Sequence, residues 1–247
     1  MLGGEWYELS NKPGQYFPRM ARPNSINERS PGHNPGITDE LRYYRARSTG
    51  QLHTFVETLD QIGRVVHPET KNLQTYGHAT RNILILACTE VEAHWRSILG
   101  ANGYTGKHGE SRFDTTDYVK LLAAMRLDQY VINLNYYPWL PPVTPFADWT
   151  ESSPTKSIPW YHAYNQVKHD REGHFAEATL ERALVAVTAC FVMLCAQYGW
   201  DFALQGSEAD QAFFKLLDAP EWSPSEIYVP PFEESYEPQH YPFTAFA

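Results

Sequence analysis

Residues 159–175, PWYHAYNQVKHDREGHF, hold the side chains of this sequence that are best suited to acid–base chemistry. Asn165 and His169 are four residues apart, so on a helix they lie one turn apart on the same face. Lys168 and Arg171 stand beside them and give the stretch a local positive charge. Histidine exchanges protons near neutral pH, whereas lysine and arginine bind phosphoryl oxygens. These residue types therefore suit a site that moves protons next to a phosphate group.

The same stretch resembles the motif of the HEPN superfamily, whose members are small all-α domains. The family motif is an arginine, often followed by Asn, Asp or His, and then three residues and a histidine. Asn165 and His169 match its last part, while Tyr164 stands where the family has arginine. The family also places an acidic or polar residue on the preceding long helix, and Glu90 in ILILACTEVEAHWR is the match. With the PFADW segment between the two helices, the resemblance covers residues 40–199.

Many HEPN-like proteins are dimeric, metal-independent ribonucleases of toxin–antitoxin and phage-defence systems, and the resemblance implies this function here. In such a reaction the 2′-hydroxyl of RNA attacks phosphorus, one group takes its proton, and another protonates the leaving 5′-oxygen. The resemblance implies that His169 is the acid or base and that Asn165 orients it or the phosphate. Lys168 and Arg171 would contact the phosphate, and Glu90 would position these basic residues. It further implies a homodimer, RNA as substrate, an antitoxin or defence protein as partner, and neither a metal nor a cofactor.

Each of these residues also has a purely structural interpretation. His169 suits the C-terminal end of a helix, where the helix dipole favours a cation. Lys168 and Arg171 could be solvated or paired with nearby acids, and Glu90 could pair with His94 one turn away. The missing family arginine and the net acidity favour an alternative function, a non-catalytic dimeric interaction or nucleotide-binding module. In a third alternative the two termini form a subunit-exchange surface and the protein is chiefly structural.

Proline placement divides the chain into elements, because proline is excluded from helix interiors. Only Pro68 lies in 36–137 and no proline lies in 160–219, so these stretches are the helical candidates. Apolar spacings of three and four predict helices over 38–67, 77–99, 116–126, from Pro159 to about Gly173, and 176–198. The alternation in QYVINLNYY, residues 129–137, predicts a strand that forms a hairpin with the proline-rich residues after it.

The predicted fold class is therefore mainly α: an HEPN-like antiparallel helical bundle with a small β-hairpin insertion and extended terminal arms. We expect an N-terminal arm over 1–37, a helical domain over 38–200 with an insertion at about 127–158, and a C-terminal arm over 201–247. The C-terminal arm holds nine acids and one base and therefore carries almost all of the net charge of −9. Its dense aromatic residues predict that it packs on its own domain or on a dimer partner.

Several classes of protein fit the sequence poorly. The net charge of −9 argues against a surface built for broad nucleic-acid binding, although a local basic site remains compatible with it. The three cysteines form no CxxC pair, and no GxGxxG, GxxxxGK[ST], HExxH or GxSxG motif occurs. His162, His169 and His174 lack a matching carboxylate pattern, so no metal site is predicted. The longest nearly apolar run, 183–196, is short for a bilayer, so we expect a soluble, cytoplasmic protein without membrane contact.

Overall fold

The computed structural model describes residues 8, 10–23, 38–107, 109, 112–203, 208–229 and 239–240. The described part is mainly helical, as the sequence predicts. Its helices are α1 (Asp39–Gly63), α2 (His78–Ala101), α3 (Thr115–Tyr118), α4 (Lys120–Met125), α5 (Pro159–His169), α6 (Arg171–His174), α7 (Leu180–Tyr198), α8 (Trp200–Ala203) and α9 (Glu208–Phe213). Its strands are β1 (Gln15–Tyr16), β2 (Val131–Leu134), β3 (Phe214–Asp218) and β4 (Gln239–His240).

Local capping explains where the principal helices begin. The Thr38 hydroxyl accepts a hydrogen bond from the Leu41 amide at 3.2 Å and so caps α1. Pro159 opens α5, where a missing N–H costs nothing. The Thr179 hydroxyl accepts from the Arg182 amide at 3.3 Å, so α7 begins after Thr179 rather than at residue 176. The segment predicted as one helix over 116–126 is two short helices, α3 and α4.

Helix α7 lies at the centre of the bundle and packs against α1, α2 and α5. It is apolar on every side, which is typical of a helix with neighbours all around it. By length and hydropathy it could cross a membrane, but 83% of its most apolar window is buried inside the protein. That burial is the behaviour of a core helix, and it agrees with the expectation of a soluble protein.

An aromatic cluster around Trp95 of α2 joins the insertion to the bundle. Trp149 stacks on Trp95 with ring centroids 4.8 Å apart, and Phe146 lies 6.2 Å from the same ring. The Trp160 indole N–H, in the first turn of α5, donates to the Pro145 carbonyl oxygen at 2.8 Å. The PFADW segment therefore fixes where α5 begins and holds that helix against α2.

The predicted strand forms, but its main partner differs from the predicted hairpin. β2 pairs antiparallel with β3 from the C-terminal region, and the proline-rich stretch contributes only one bridge, between Ile132 and Val143. Because proline lacks an amide donor, a stretch rich in it supplies few ladder hydrogen bonds. α9 and β3 also correct the predicted domain boundary at 200/201: the chain after residue 201 is not an arm throughout, since residues 208–218 belong to the folded body.

The described parts of both termini lie on the folded body, and for the C-terminal arm this is one of the two arrangements that the sequence predicts. The Ala21 amide donates to the Ala196 carbonyl at the end of α7 at 2.9 Å. Trp222 lies between two guanidinium groups, with the Arg22 group 4.3 Å and the Arg126 group 4.4 Å from the ring centroid. These contacts join the two termini and the helix α4 region to one another.

Candidate functional site

The helix that carries the predicted motif ends earlier than expected. α5 stops at His169, and Asp170 has a non-helical backbone with φ −139° and ψ 86°. The Asp170 carboxylate accepts from the Gly173 amide at 2.9 Å and caps the next short helix, α6. Aspartate favours such caps because its side chain satisfies a free amide at a helix start. Arg171 therefore opens α6 and does not belong to the one continuous helix from Pro159 to about Gly173 that the sequence predicts.

Three basic side chains lie exposed around this break. Lys168 and His169 occupy the last turn of α5, and Arg171 opens α6. Neither His169 nor Arg171 makes a hydrogen bond or ion pair with another residue in the part of the chain that the structure describes. His174 lies nearby and is 39% exposed, with its Nδ1 3.4 Å from the Gln166 amide nitrogen. The end of α5 thus presents an imidazole and cations to solvent.

Lys168 is held by a chain of hydrogen bonds that begins on α2. The Tyr161 hydroxyl donates to one Glu92 carboxylate oxygen at 2.6 Å, and the Tyr164 hydroxyl donates to the other at 3.4 Å. Lys168 Nζ donates to the Tyr164 hydroxyl at 2.9 Å. This bond raises the pKa of the Lys168 ammonium, while burial and the adjacent Glu92 raise the pKa of the Tyr161 hydroxyl. The lysine is therefore a fixed positive charge at this site.

The carboxylate that faces α5 is Glu92, so the expectation that Glu90 positions the basic residues is wrong. Two residues along a helix correspond to a rotation of about 200°, which puts Glu90 on the opposite side of α2. Glu90 accepts from the Ser48 hydroxyl of α1 at 3.1 Å and lies 3.5 Å from His94 Nε2. It lines a cavity between α1 and α2 and has its contacts there.

Asn165 is on the predicted face of α5 but is bonded within its own helix. Its Nδ2 donates to the Tyr161 carbonyl oxygen at 2.9 Å. The structure thus gathers Lys168, His169 and Arg171 at one helix end, with Asn165 a turn below them. Glu92 and its two tyrosines are the supporting residues that the sequence interpretation missed. The available signal was the buried spacing of Tyr161 and Tyr164, three residues apart and directed to α2.

Within the residues that the structure describes, no group of three or more His, Cys, Asp or Glu side chains is placed to hold a metal ion. The three cysteines are buried, unpaired core residues.

The chain matches no protein-family model, no curated protein and no solved structure. The resemblance to HEPN-like proteins therefore depends on the motif and the order of the helices.

Proposed function

We propose that this chain is an HEPN-like, RNA-directed protein and that the end of α5 is its RNA-contacting surface. One observation carries the proposal: Lys168, His169 and Arg171 lie exposed within four residues, and the last two make no contact that would occupy them among the described residues. Free cationic side chains at a helix end suit phosphate oxygens, which dominate the affinity of proteins for nucleic acids. Because the basic cluster is confined to three residues, it is compatible with a local RNA-binding site on a chain whose net charge is negative.

The same groups could perform metal-independent cleavage of RNA. His169 would transfer a proton to or from a reacting oxygen, and Lys168 and Arg171 would stabilise charge on the phosphoryl group. Asn165 would contribute its side-chain carbonyl oxygen and one amide N–H, because the other N–H donates to the Tyr161 carbonyl oxygen. Cleavage needs both a proton acceptor and a proton donor. A homodimer that brings two copies of His169 to one RNA chain would supply both.

The proposal extends to the setting of the protein in the cell. An RNA-directed effector of this kind would act in the cytoplasm, as part of a toxin–antitoxin or phage-defence system. Its activity would then be held in check or triggered by a protein partner, either an antitoxin or another defence protein. No cofactor is required by the chemistry proposed for His169.

Cleavage of RNA in the presence of EDTA tests the catalytic part of the proposal. Wild-type protein, His169→Ala and the matched variant His174→Ala are incubated with total RNA and with transfer RNA. We expect His169→Ala to lose 100-fold or more of the rate, which is about the contribution of one general acid or base, and His174→Ala to keep most of it. Equal activity in the wild type and His169→Ala would remove the catalytic assignment.

A second candidate function, a non-catalytic dimeric interaction or nucleotide-binding module, is favoured by Tyr164. This residue stands at the position of the family arginine and is only 2% exposed, with its hydroxyl between Glu92 and Lys168. An arginine there would place a guanidinium beside Glu92 in the centre of the site. If the site is a nuclease active site that lost its activity together with the family arginine, Tyr164→Arg gains RNase activity and the control Tyr164→Phe does not. If the function is binding alone, Tyr164→Arg changes only association.

A further inference from the structure

A cavity of about 490 Å³ lies between α1 and α2, away from the end of α5. Its size falls within the range of small-molecule sites, roughly 300–1,000 Å³. Its wall combines two arginines with a carboxylate, a serine and a buried histidine: Arg19, Arg47, Ser48, Glu90 and His94. The RNA-directed function does not use this cavity, and its residues come from three separate parts of the chain.

A buried chain of hydrogen bonds fixes the chemical state of the cavity wall. Gln197, which is completely buried in α7, accepts from Arg19 Nε at 2.9 Å through its Oε1. Its Nε2 donates to the Met193 carbonyl at 2.9 Å, so the orientation of the amide is determined, and lies 3.0 Å from His94 Nδ1. His94 Nδ1 must therefore accept this bond, and the proton of the neutral imidazole is on Nε2.

The Nε2–H group of His94 is a buried donor that lacks a partner. His94 is 3% exposed, and its Nε2 makes no hydrogen bond within the described structure. Glu90 Oε1 lies 3.5 Å away, which is too long for a good N–H···O bond. An unsatisfied buried donor costs about 1–3 kcal/mol. This Nε2 atom has almost no exposed surface, so His94 borders the cavity as a neutral wall residue, and the charged groups that can face a ligand are Arg19, Arg47 and Glu90.

Arg19 reaches the cavity from a strained backbone that is held on both sides. Its φ is 58°, in the left-handed region that residues other than glycine rarely adopt. The preceding Pro18 carbonyl accepts from Asn102 Nδ2 at 2.9 Å, and the Ala21 amide donates to Ala196 at 2.9 Å. Strain of this kind is typical of binding and catalytic sites, where the rest of the fold supports it. Here it directs a guanidinium towards Gln197 at the cavity wall.

The charged groups of the cavity wall indicate the chemical class of the ligand. Arg19 and Arg47 supply two guanidinium groups, and a phosphate monoester offers three acceptor oxygens and a charge of about −1.5 to −2. Arg47 is exposed and makes no hydrogen bond or ion pair with any other residue that the structure describes. Glu90 holds the opposite charge and, with one oxygen taken by Ser48, keeps an acceptor free. A ligand that satisfies both sides carries a phosphate and a hydroxyl.

We propose that the cavity between α1 and α2 binds a small hydroxylated phosphate monoester. The phosphate contacts Arg19 and Arg47, and a hydroxyl of the ligand donates to Glu90. The Glu90 carboxylate makes the site selective for such a ligand over inorganic phosphate. It repels both anions, but only the hydroxylated ligand offsets this repulsion by donating a hydrogen bond to it. The proposal goes beyond the RNA-directed function and stands or falls separately from it.

Isothermal titration calorimetry with ribose 5-phosphate tests the proposal on the full chain. Ribose and inorganic phosphate are the two control ligands, since each satisfies only one side of the cavity. We expect ribose 5-phosphate to bind at least tenfold more tightly than either. Arg47→Ala should weaken it tenfold or more, whereas Arg42→Ala, on the same helix but outside the cavity, should leave it unchanged.

Arg19→Gly gives a second, independent variant. Glycine adopts a φ of 58° without strain, so the variant keeps the backbone while it removes the guanidinium. We expect a folded protein that binds ribose 5-phosphate at least tenfold more weakly. The proposal is overturned if the wild type does not bind ribose 5-phosphate at millimolar concentration. It is also overturned if inorganic phosphate binds equally well, or if Arg47→Ala and Arg19→Gly both bind as the wild type does.

Discussion

The end of α5 and the cavity between α1 and α2 hold similar side chains in opposite physical settings. At the end of α5, His169 and Arg171 are exposed and make no bond to another described residue. In the cavity, His94 is buried and linked through Gln197 to Arg19. An exposed cluster can meet a large partner such as RNA, whereas a buried polar chain has a fixed geometry before any ligand arrives. The two regions therefore suit ligands of different size.

The largest expected difference between the regions is in stability, when a glutamine is replaced in each. Gln197→Leu leaves Arg19 Nε and His94 Nδ1 without their buried partner, and we expect the free energy of unfolding to fall by about 2–4 kcal/mol. The matched variant Gln166→Leu, at the half-exposed side of α5, should cost less than about 1 kcal/mol. Urea denaturation measures both. Equal losses would mean that the buried chain is no more important than a surface contact.

The pH dependence of stability separates the two histidines. Burial, with Arg19 adding to it, lowers the pKa of His94 from 6.5 to about 3 in the folded protein. The unfolded chain therefore takes up this proton first, so the contribution of neutral His94 is complete above pH 6.5 and is lost as the pH falls towards 3. We expect a slope of up to about 1.4 kcal/mol per pH unit over that window.

His94→Gln should flatten this part of the unfolding profile, measured by urea denaturation between pH 7 and pH 5. His169→Gln, at the exposed site, should keep the slope of the wild type. A wild-type slope that survives in His94→Gln would show that other groups carry it and that His94 titrates normally.

The sequence predicts the parts of the fold that depend on local rules. The Thr38 cap, the proline at the start of α5 and the apolar pattern of α7 each act within one or two turns, and all three predicted helices form, although α5 ends at His169 and α7 begins at Leu180. The pairing of β2 with β3 cannot be predicted from local rules, because it joins residues about eighty positions apart in the sequence. The strand was visible in the alternation of QYVINLNYY, but its partner was not.

The same distinction between local and long-range contacts decides which parts of the candidate site the sequence predicts. His169, Lys168 and Arg171 come together because they are neighbours in sequence. The choice between Glu90 and Glu92 depends on which face of α2 meets α5, and both acids lie within one apolar run. Gln197 carried a usable signal, since it is a long polar side chain at the end of the most apolar helix. A buried residue of that kind requires partners.

Alanine substitutions of the two acids on α2 sharpen the assignment of the carboxylate that supports α5. Glu92→Ala removes the acceptor of the Tyr161 and Tyr164 hydroxyls, so we expect a loss of about 1–2 kcal/mol in the free energy of unfolding. Glu90→Ala should cost less than about 1 kcal/mol, because its side chain is 25% exposed and water can reach Ser48. Thermal and urea unfolding provide the comparison. A larger loss for Glu90→Ala than for Glu92→Ala would mean that the Glu92 hydrogen bonds contribute little to the packing of α5 on α2.

The smallest expected effect on stability is at the end of α5. A substitution there should change RNA binding while it leaves the free energy of unfolding almost unchanged. Arg171→Ala removes an exposed side chain and should change the free energy of unfolding by no more than about 0.5 kcal/mol. If Arg171 contacts one phosphate, the slope of log affinity for single-stranded RNA against log salt concentration should become shallower by about 0.7. Fluorescence anisotropy at several salt concentrations measures this slope, with Lys215→Ala on β3 as the charge-matched control. An identical decrease in both variants would mean that RNA responds to the overall charge of the protein, whereas a decrease in Arg171→Ala alone would assign the contact to the end of α5.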